Sequence, residues 1–141
     1  IRGIIPAYWL TWIEARLQEK SLTLLDTFDV FAGTSTGSII AAGLVHGKSS
    51  SEILKLYKER GREIFPRRRL LKNPLRQVGG ILRPRHSDKG LDDLLQQVFG
   101  DATLGDVATH KRLLVAAFNG GNRTLKLFDS RNSSDKHYLL R

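Results

Sequence analysis

Hydrophobic and polar positions divide the 141 residues into alternating helical and strand-like stretches. From Ala7 to Lys20 the period is helical. Trp9, Ile13 and Leu17 fall on one face with Leu10 beside them, and Glu14, Gln18 and Glu19 lie away from it. Pro6 suits the first turn, and Arg16 and Lys20 sit where cations complement the helix dipole. Residues 22–27 read as a connector. Phe28, Val30, Phe31 and Ala32 form a short run of strand formers, expected to be a buried strand. The next stretch, Ile39 to Val45, is apolar on nearly all sides and contains the small residues Ala41, Ala42 and Gly43, so it predicts a helix lying close to a sheet, ended by Gly47.

Ser49 and Glu52, spaced S-x-x-E, predict a capping box. It opens a helix lined by Ile53, Leu56, Tyr57 and Ile64 and stopped by Pro66. Asp88 heads another helix, in which Leu91, Leu94, Leu95, Val98 and Phe99 make a core stripe and Gly100 ends the run. Residues 101–110 are a connection with room for one short turn. Leu113 to Phe118 is a continuous apolar run, the pattern of a strand buried on both faces. Asn119-Gly120-Gly121-Asn122 is turn chemistry, and Thr124 to Asp129 alternates as a hairpin partner nearer the sheet edge. Tyr138 to Arg141 reads as the start of a further element. Strands separated by helices predict an α/β fold with a largely parallel central sheet flanked by helices.

Composition narrows the class. The length allows at most one ordinary domain, and 40% hydrophobic with 26% charged residues fits a soluble globular protein. No run is long enough for a transmembrane helix. The absence of cysteine excludes disulfides and thiolate metal sites and leaves the compartment open. The formal net charge of +9 points to an acidic partner. Much of it sits between Pro66 and Asp88, where Arg67-Arg68-Arg69, Lys72, Arg76, Arg83 and Arg85 are interleaved with leucines and broken by Pro74, Gly79-Gly80 and Pro84. This reads as a long irregular loop. It suits either peripheral contact with an anionic membrane surface or a solvated loop with a few leucines in the core. Its arginines are not interleaved with stacking aromatics, which argues against nucleic acid.

The candidate chemistry lies in Gly33-Thr34-Ser35-Thr36-Gly37, a G-x-S-x-G between the first strand and its helix, within 28–42. In that setting it is the signature of a nucleophile elbow. A sharp strand-to-helix turn forces the serine into a strained conformation, the flanking glycines avoid backbone collisions, and the helix N-terminus favours a developing oxyanion. A serine needs a base. His46 would lie at the far end of the elbow helix, His86 in the basic loop, and His110 and His137 further on; none carries a motif. His110 or His137 is the candidate base of a Ser-His-Asp esterase. No metal-ligand spacing and no phosphate-binding P-loop occur.

Several stretches in order resemble the patatin-like phospholipases, which are serine lipid acyl hydrolases. Ile1-Arg2-Gly3-Ile4-Ile5-Pro6-Ala7 is similar to the tail of the family's opening D-G-G-G-x-R-G motif and its first helix. Phe28 to Gly37 is similar to the family's G-T-S-T-G elbow. Tyr57 to Phe65, Leu91 to Asp106, Leu113 to Phe118 and Lys126 to Phe128 resemble later helices and strands. The resemblance implies a three-layer α/β/α catalytic domain and phospholipase A-like ester hydrolysis without a cofactor. Ser35 is then the nucleophile, and Arg2 and Gly3 are the remnant of the oxyanion loop. The substrate is a phospholipid or other acyl lipid. It also implies a serine–aspartate dyad. No aspartate between Asp88 and Asp135 is followed by Gly-Gly or Gly-Ala, the family's setting for that residue. The base is therefore expected beyond Arg141 and the D-G-G-G portion before Ile1, so that residues 1–141 are part of one catalytic domain, truncated at both ends and inactive alone. The other class left open is a catalytically silent lipid- or protein-binding module.

Overall fold

The computed structural model describes residues 3–64, 88–108 and 110–141. In chain order the elements are α1 (Ile4–Gln18), α2 (Leu24–Thr27), β1 (Val30–Thr34), α3 (Thr36–Val45), α4 (Ser50–Ile64), α5 (Asp88–Phe99), a single 3-10 turn (Leu104–Asp106), β2 (Arg112–Asn119) and β3 (Thr124–Asp129). The strands form one sheet in the order β1-β2-β3. β1 and β2 are parallel, with Val30 opposite Arg112 and Thr34 opposite Ala116. β2 and β3 are an antiparallel hairpin closing at Asn119 and Thr124. The architecture is therefore α/β with a mixed sheet. The basic stretch expected at 66–88 lies, apart from Asp88, outside the described residues, as do Arg2, His86 and the Pro66 stop.

The local signals that form these elements are mostly side chain to backbone. Ser49 and Glu52 make the reciprocal cap expected at the head of α4: the Ser49 N–H donates to Glu52 Oε2 at 2.8 Å and the Glu52 N–H to Ser49 Oγ at 3.2 Å. Accepting these bonds, first from the Ser49 backbone and then from its hydroxyl, holds the Glu52 carboxyl below its ordinary range. Gly47 takes φ +83° after α3, and the Lys48 N–H reaches back to the Gly43 carbonyl at 2.9 Å, closing that helix with a Schellman-type end. Gly100 does the corresponding turn after α5 at φ +57°. The connector at 22–27 contains a helix the hydrophobic pattern does not reveal. Thr23 and Asp26 cap α2 as a second reciprocal box, and Thr103 and Asp106 cap the 3-10 turn as a third. The T-x-x-D spacing in both places is a capping signal in its own right.

The core joins Phe31 and Leu113 from the sheet to Ile40, Ala41 and Leu44 of α3, Ile53, Leu54 and Tyr57 of α4, and Leu94 and Phe99 of α5. α1 packs along α4, but not on the expected face. Ala7 is fully buried and Leu10 and Leu17 are half-buried, whereas Trp9 and Trp12 are 61% and 59% exposed and Ile13 is also exposed. Glu14, expected to point away, turns in, and its Oε2 accepts from both the Ser50 N–H (3.0 Å) and the Ser50 hydroxyl. Both sides of α1 are apolar, so periodicity alone could not choose between them. The small Ala7 permits close approach, and Glu14 satisfies donors at the start of α4 that would otherwise be buried without partners.

The sheet also departs from expectation. Phe31, Leu113, Val115 and Phe128 share the face covered by α3. The opposite face carries Val30, Phe118, Leu125 and Leu127, all exposed, so neither β1 nor β2 is buried on both sides among the described residues. The apolar run in β2 is real, but the described helices cover one face only. Beyond β3, the chain is pinned by charge. Arg112 Nη2 and Nε donate to the Asp129 carboxylate at 2.6 and 3.1 Å, and Asp135, 1% exposed, accepts from Lys126 Nζ at 2.7 Å and the Asp129 N–H at 3.1 Å.

Leu113→Ala should destabilise the protein by about 2–5 kcal/mol in denaturant titration, because a fully buried side chain leaves a cavity between sheet and helix. The Arg112 and Lys126 hydrogen bonds lower the carboxyl pKa values of Asp129 and Asp135. A depressed folded-state value contributes stability that is present above the unfolded value of 3.8 and is lost as the pH falls through the folded one. Unfolding free energy should thus hold steady down to about pH 5 and then fall. Asp135→Asn should lower Tm at pH 7 and flatten the acid limb of a Tm-against-pH series.

Candidate active site

β1 delivers the chain to Thr34, and α3 begins at Thr36, leaving Ser35 as the single residue of the turn. Its backbone takes φ 53° and ψ −126°, a region that non-glycine residues seldom occupy. The turn is this tight because Gly33 lies against the peptide of Gly37. A Cβ on Gly33 would sit 2.2 Å from the Gly37 carbonyl oxygen and 2.5 Å from the Ser38 nitrogen. No side chain fits there. Gly37 differs: a Cβ built on it meets nothing within 4 Å, so collision with the described residues accounts for one of the two glycines and not for both.

The helix end beyond the turn is open. The Ser35 carbonyl is tied into the helix by the Ser38 N–H at 3.0 Å and the Ser38 hydroxyl at 2.6 Å. Among the described residues the N–H groups of Thr36 and Gly37 have no protein acceptor. Ser35 itself is exposed, and its hydroxyl caps no backbone group. The opening stretch of the chain is brought to the same place. A Cβ on Gly3 would lie 3.0 Å from Thr36 Cβ and 3.2 Å from two ring carbons of Tyr57. Tyr57 is fully buried, and its hydroxyl donates to the Thr36 carbonyl at 2.7 Å. Sequence reasoning placed Tyr57 on the packed face of its helix and missed this bond. A phenol on a core face needs a partner, and that requirement was the available signal.

Three of the four histidines, His46, His110 and His137, are described, and none of these hydrogen-bonds Ser35. β1 and β2 run parallel, so Ser35 follows the C-terminal end of β1 while His110 precedes the start of β2 at the other end of the sheet. The strand rise puts roughly 20 Å between those levels. His137 packs against Tyr138 at 4.3 Å between ring centroids, in the loop after β3. His46 caps the far end of α3 and meets the Phe99 ring edge-on at 5.7 Å. Among the described residues no carboxylate or imidazole hydrogen-bonds Ser35, and no cluster of three metal-ligating side chains occurs.

The family model described as patatin-like phospholipase matches residues 1–139. The chain belongs to the patatin-like phospholipase family. Patatin-like protein 1 of Oryza sativa subsp. indica is 36% identical over 120 residues, covering 78% of this chain and 28% of that protein. Patatin-like protein 3 of Arabidopsis thaliana is 35% identical over 132 residues, covering 78% and 30%. Patatin of Solanum tuberosum is 29% identical over 150 residues, covering 99% of this chain and 36% of its own length. This patatin-like chain thus spans about a third of the length of the curated relatives it matches. The family match and the observed mixed sheet agree on an α/β fold.

In the complete protein, Gly33→Ala should leave helical content measurable by circular dichroism while slowing fluorophosphonate labelling of Ser35 at least tenfold, by the order of magnitude expected when a reacting group is displaced. Gly37→Ala should slow it less, since a Cβ there meets no described atom.

Proposed function

We propose that the complete protein is a lipid acyl hydrolase of phospholipase A type, with Ser35 as nucleophile and an aspartate beyond residue 141 as base. The observation that carries this reading is the conformation of Ser35: an exposed residue at φ 53° on the turn from β1 into α3, followed by the Thr36 and Gly37 N–H groups, which have no protein acceptor among the described residues. Family membership adds the substrate class, an acyl ester of a phospholipid or related lipid.

The reaction follows from those groups. Ser35 Oγ attacks the ester carbonyl and passes its proton to the aspartate carboxylate. Negative charge develops on the former carbonyl oxygen, where the N–H groups of Thr36 and Gly37 and the positive end of α3 stabilise it. The tetrahedral intermediate then expels the alcohol, which takes up the proton, and water hydrolyses the remaining acyl-serine. Arg2 and Gly3 belong to the end of the loop that completes the oxyanion pocket. The approach of Gly3 to Thr36 supports that placement. No metal or cofactor is required by this chemistry.

Residues 1–141 form part of one catalytic domain in this reading. The open apolar face of the sheet is where a second helical layer lies in the complete three-layer α/β/α domain, since parallel-paired strands are ordinarily covered on both sides. The basic and apolar stretch 66–88 supplies peripheral contact with an anionic membrane surface.

In the complete protein, Ser35→Ala should reduce ester hydrolysis by about 10³-fold or more, whereas His110→Ala and His137→Ala should each stay within about twofold of wild type. A large loss in either histidine variant, with folding intact, would replace the dyad with a triad. Residues 1–141 alone should show no turnover of p-nitrophenyl esters; turnover abolished by Ser35→Ala would show that the base lies within them.

A further inference from the structure

Tyr57 is a polar residue in a place that does not ask for one. It lies on the buried side of α4, with no exposed surface, among Ala7, Ile53 and Leu54 of the core. A phenylalanine would fill the same volume without the desolvation of a hydroxyl. That hydroxyl makes one bond, to the Thr36 carbonyl at 2.7 Å. Thr36 O is a first-turn helix carbonyl whose ordinary partner is the N–H four residues on, so the tyrosine is an added donor rather than the sole means of satisfying it. Burial also holds the phenol well above the ordinary tyrosine range, so the group remains a donor at any working pH.

The peptide unit that contains the Thr36 carbonyl also contains the Gly37 N–H. At a helix N-terminus this N–H points out along the axis, toward whatever sits over the Ser35 turn. A hydrogen bond to the carbonyl end fixes the tilt of that peptide and polarises it, strengthening the N–H as a donor. The Tyr57 ring meanwhile lies beside Gly3, where a Cβ would come within 3.2 Å of it. One side chain therefore touches both the first turn of α3 and the start of α1.

We propose that Tyr57 is a positioning residue of this site: through the Thr36 carbonyl it aligns the Gly37 N–H for the oxyanion, and through its ring it seats the Gly3 end of the chain against the same pocket. The proposal rests on the reading of Ser35 as nucleophile. It goes beyond that reading by assigning a role in catalysis to a core residue on a different helix, one that does not touch substrate.

The test uses the complete protein and four measurements: kcat and KM for a long-chain p-nitrophenyl ester, the affinity of a long-chain trifluoromethyl ketone, which forms a tetrahedral oxyanion adduct, and the affinity of the matching non-hydrolysable ether. Tyr57→Phe should lower kcat and weaken ketone affinity in parallel, each by about tenfold, a fraction of what direct loss of an oxyanion donor costs. KM and ether affinity should stay within about twofold. Replacing Tyr57 with 3-fluorotyrosine, which keeps the hydroxyl, should restore kcat and ketone affinity. The proposal is overturned if the Phe variant keeps kcat and ketone affinity while Ser35→Ala abolishes hydrolysis, and equally if ketone and ether lose affinity together, which marks general damage. Should the Phe variant not fold, fluorotyrosine decides alone: kcat or ketone affinity more than about twofold below wild type in a folded protein also overturns the proposal. Hydrolysis that survives Ser35→Ala removes the nucleophile reading itself.

Discussion

The structure turns on the contact between Gly33 and the peptide of Gly37. A strand can pass into a helix through one residue only if the end of the strand lies almost on a peptide of the helix's first turn. A 2.2 Å clearance for a hypothetical Cβ shows how little room that leaves. Ser35 is the residue that absorbs the geometry, at a positive φ that its own side chain disfavours. Strain of that kind persists only where the surroundings over-determine it. Here β1 is held in register by β2, and the helix start is held by Ser38 on one side and Tyr57 on the other.

Helices α1 and α4 brace this turn rather than merely filling volume. α4 is fixed at its N-terminus by its own Ser49–Glu52 box and by Glu14 reaching across from α1 to Ser50. That places Tyr57, two turns further on, under Thr36. α1 in turn is preceded by Gly3, where an added Cβ would crowd Thr36 and Tyr57. The β2–β3 side of the sheet is secured by the Arg112–Asp129 and Lys126–Asp135 pairs.

Local rules made much of this legible. Gly47, Gly100 and the Ser49–Glu52 cap act within a few residues, so their effects are written in neighbouring letters. The same is true of the turn at 119–122, where Asn119 Oδ1 accepts from the Gly121 N–H at 2.9 Å. α2 was legible in principle through Thr23 and Asp26, but its four residues are too few to show a hydrophobic period. What failed was any judgement about which of two apolar faces is packed. α1 presents Trp9 and Trp12 outward and Ala7 inward, the reverse of what residue size suggests, because close approach of two helices favours the smallest side chain. β2 reads as buried on both sides because its composition is apolar on both, and composition does not say which neighbours are present.

By itself the sequence determined the order of strands and helices, the ends of most helices, and Ser35 on a tight strand-to-helix turn, since each depends on short-range spacing and backbone preference. Only the tertiary structure decided that His110 stands at the opposite end of the sheet from Ser35, because that follows from the parallel pairing of β1 with β2 across some eighty residues of chain. It likewise decided that Glu14 serves α4 and that Tyr57 holds Thr36, 36 and 21 residues apart. Contacts over such separations depend on how helices pack, and no local pattern in the chain encodes that.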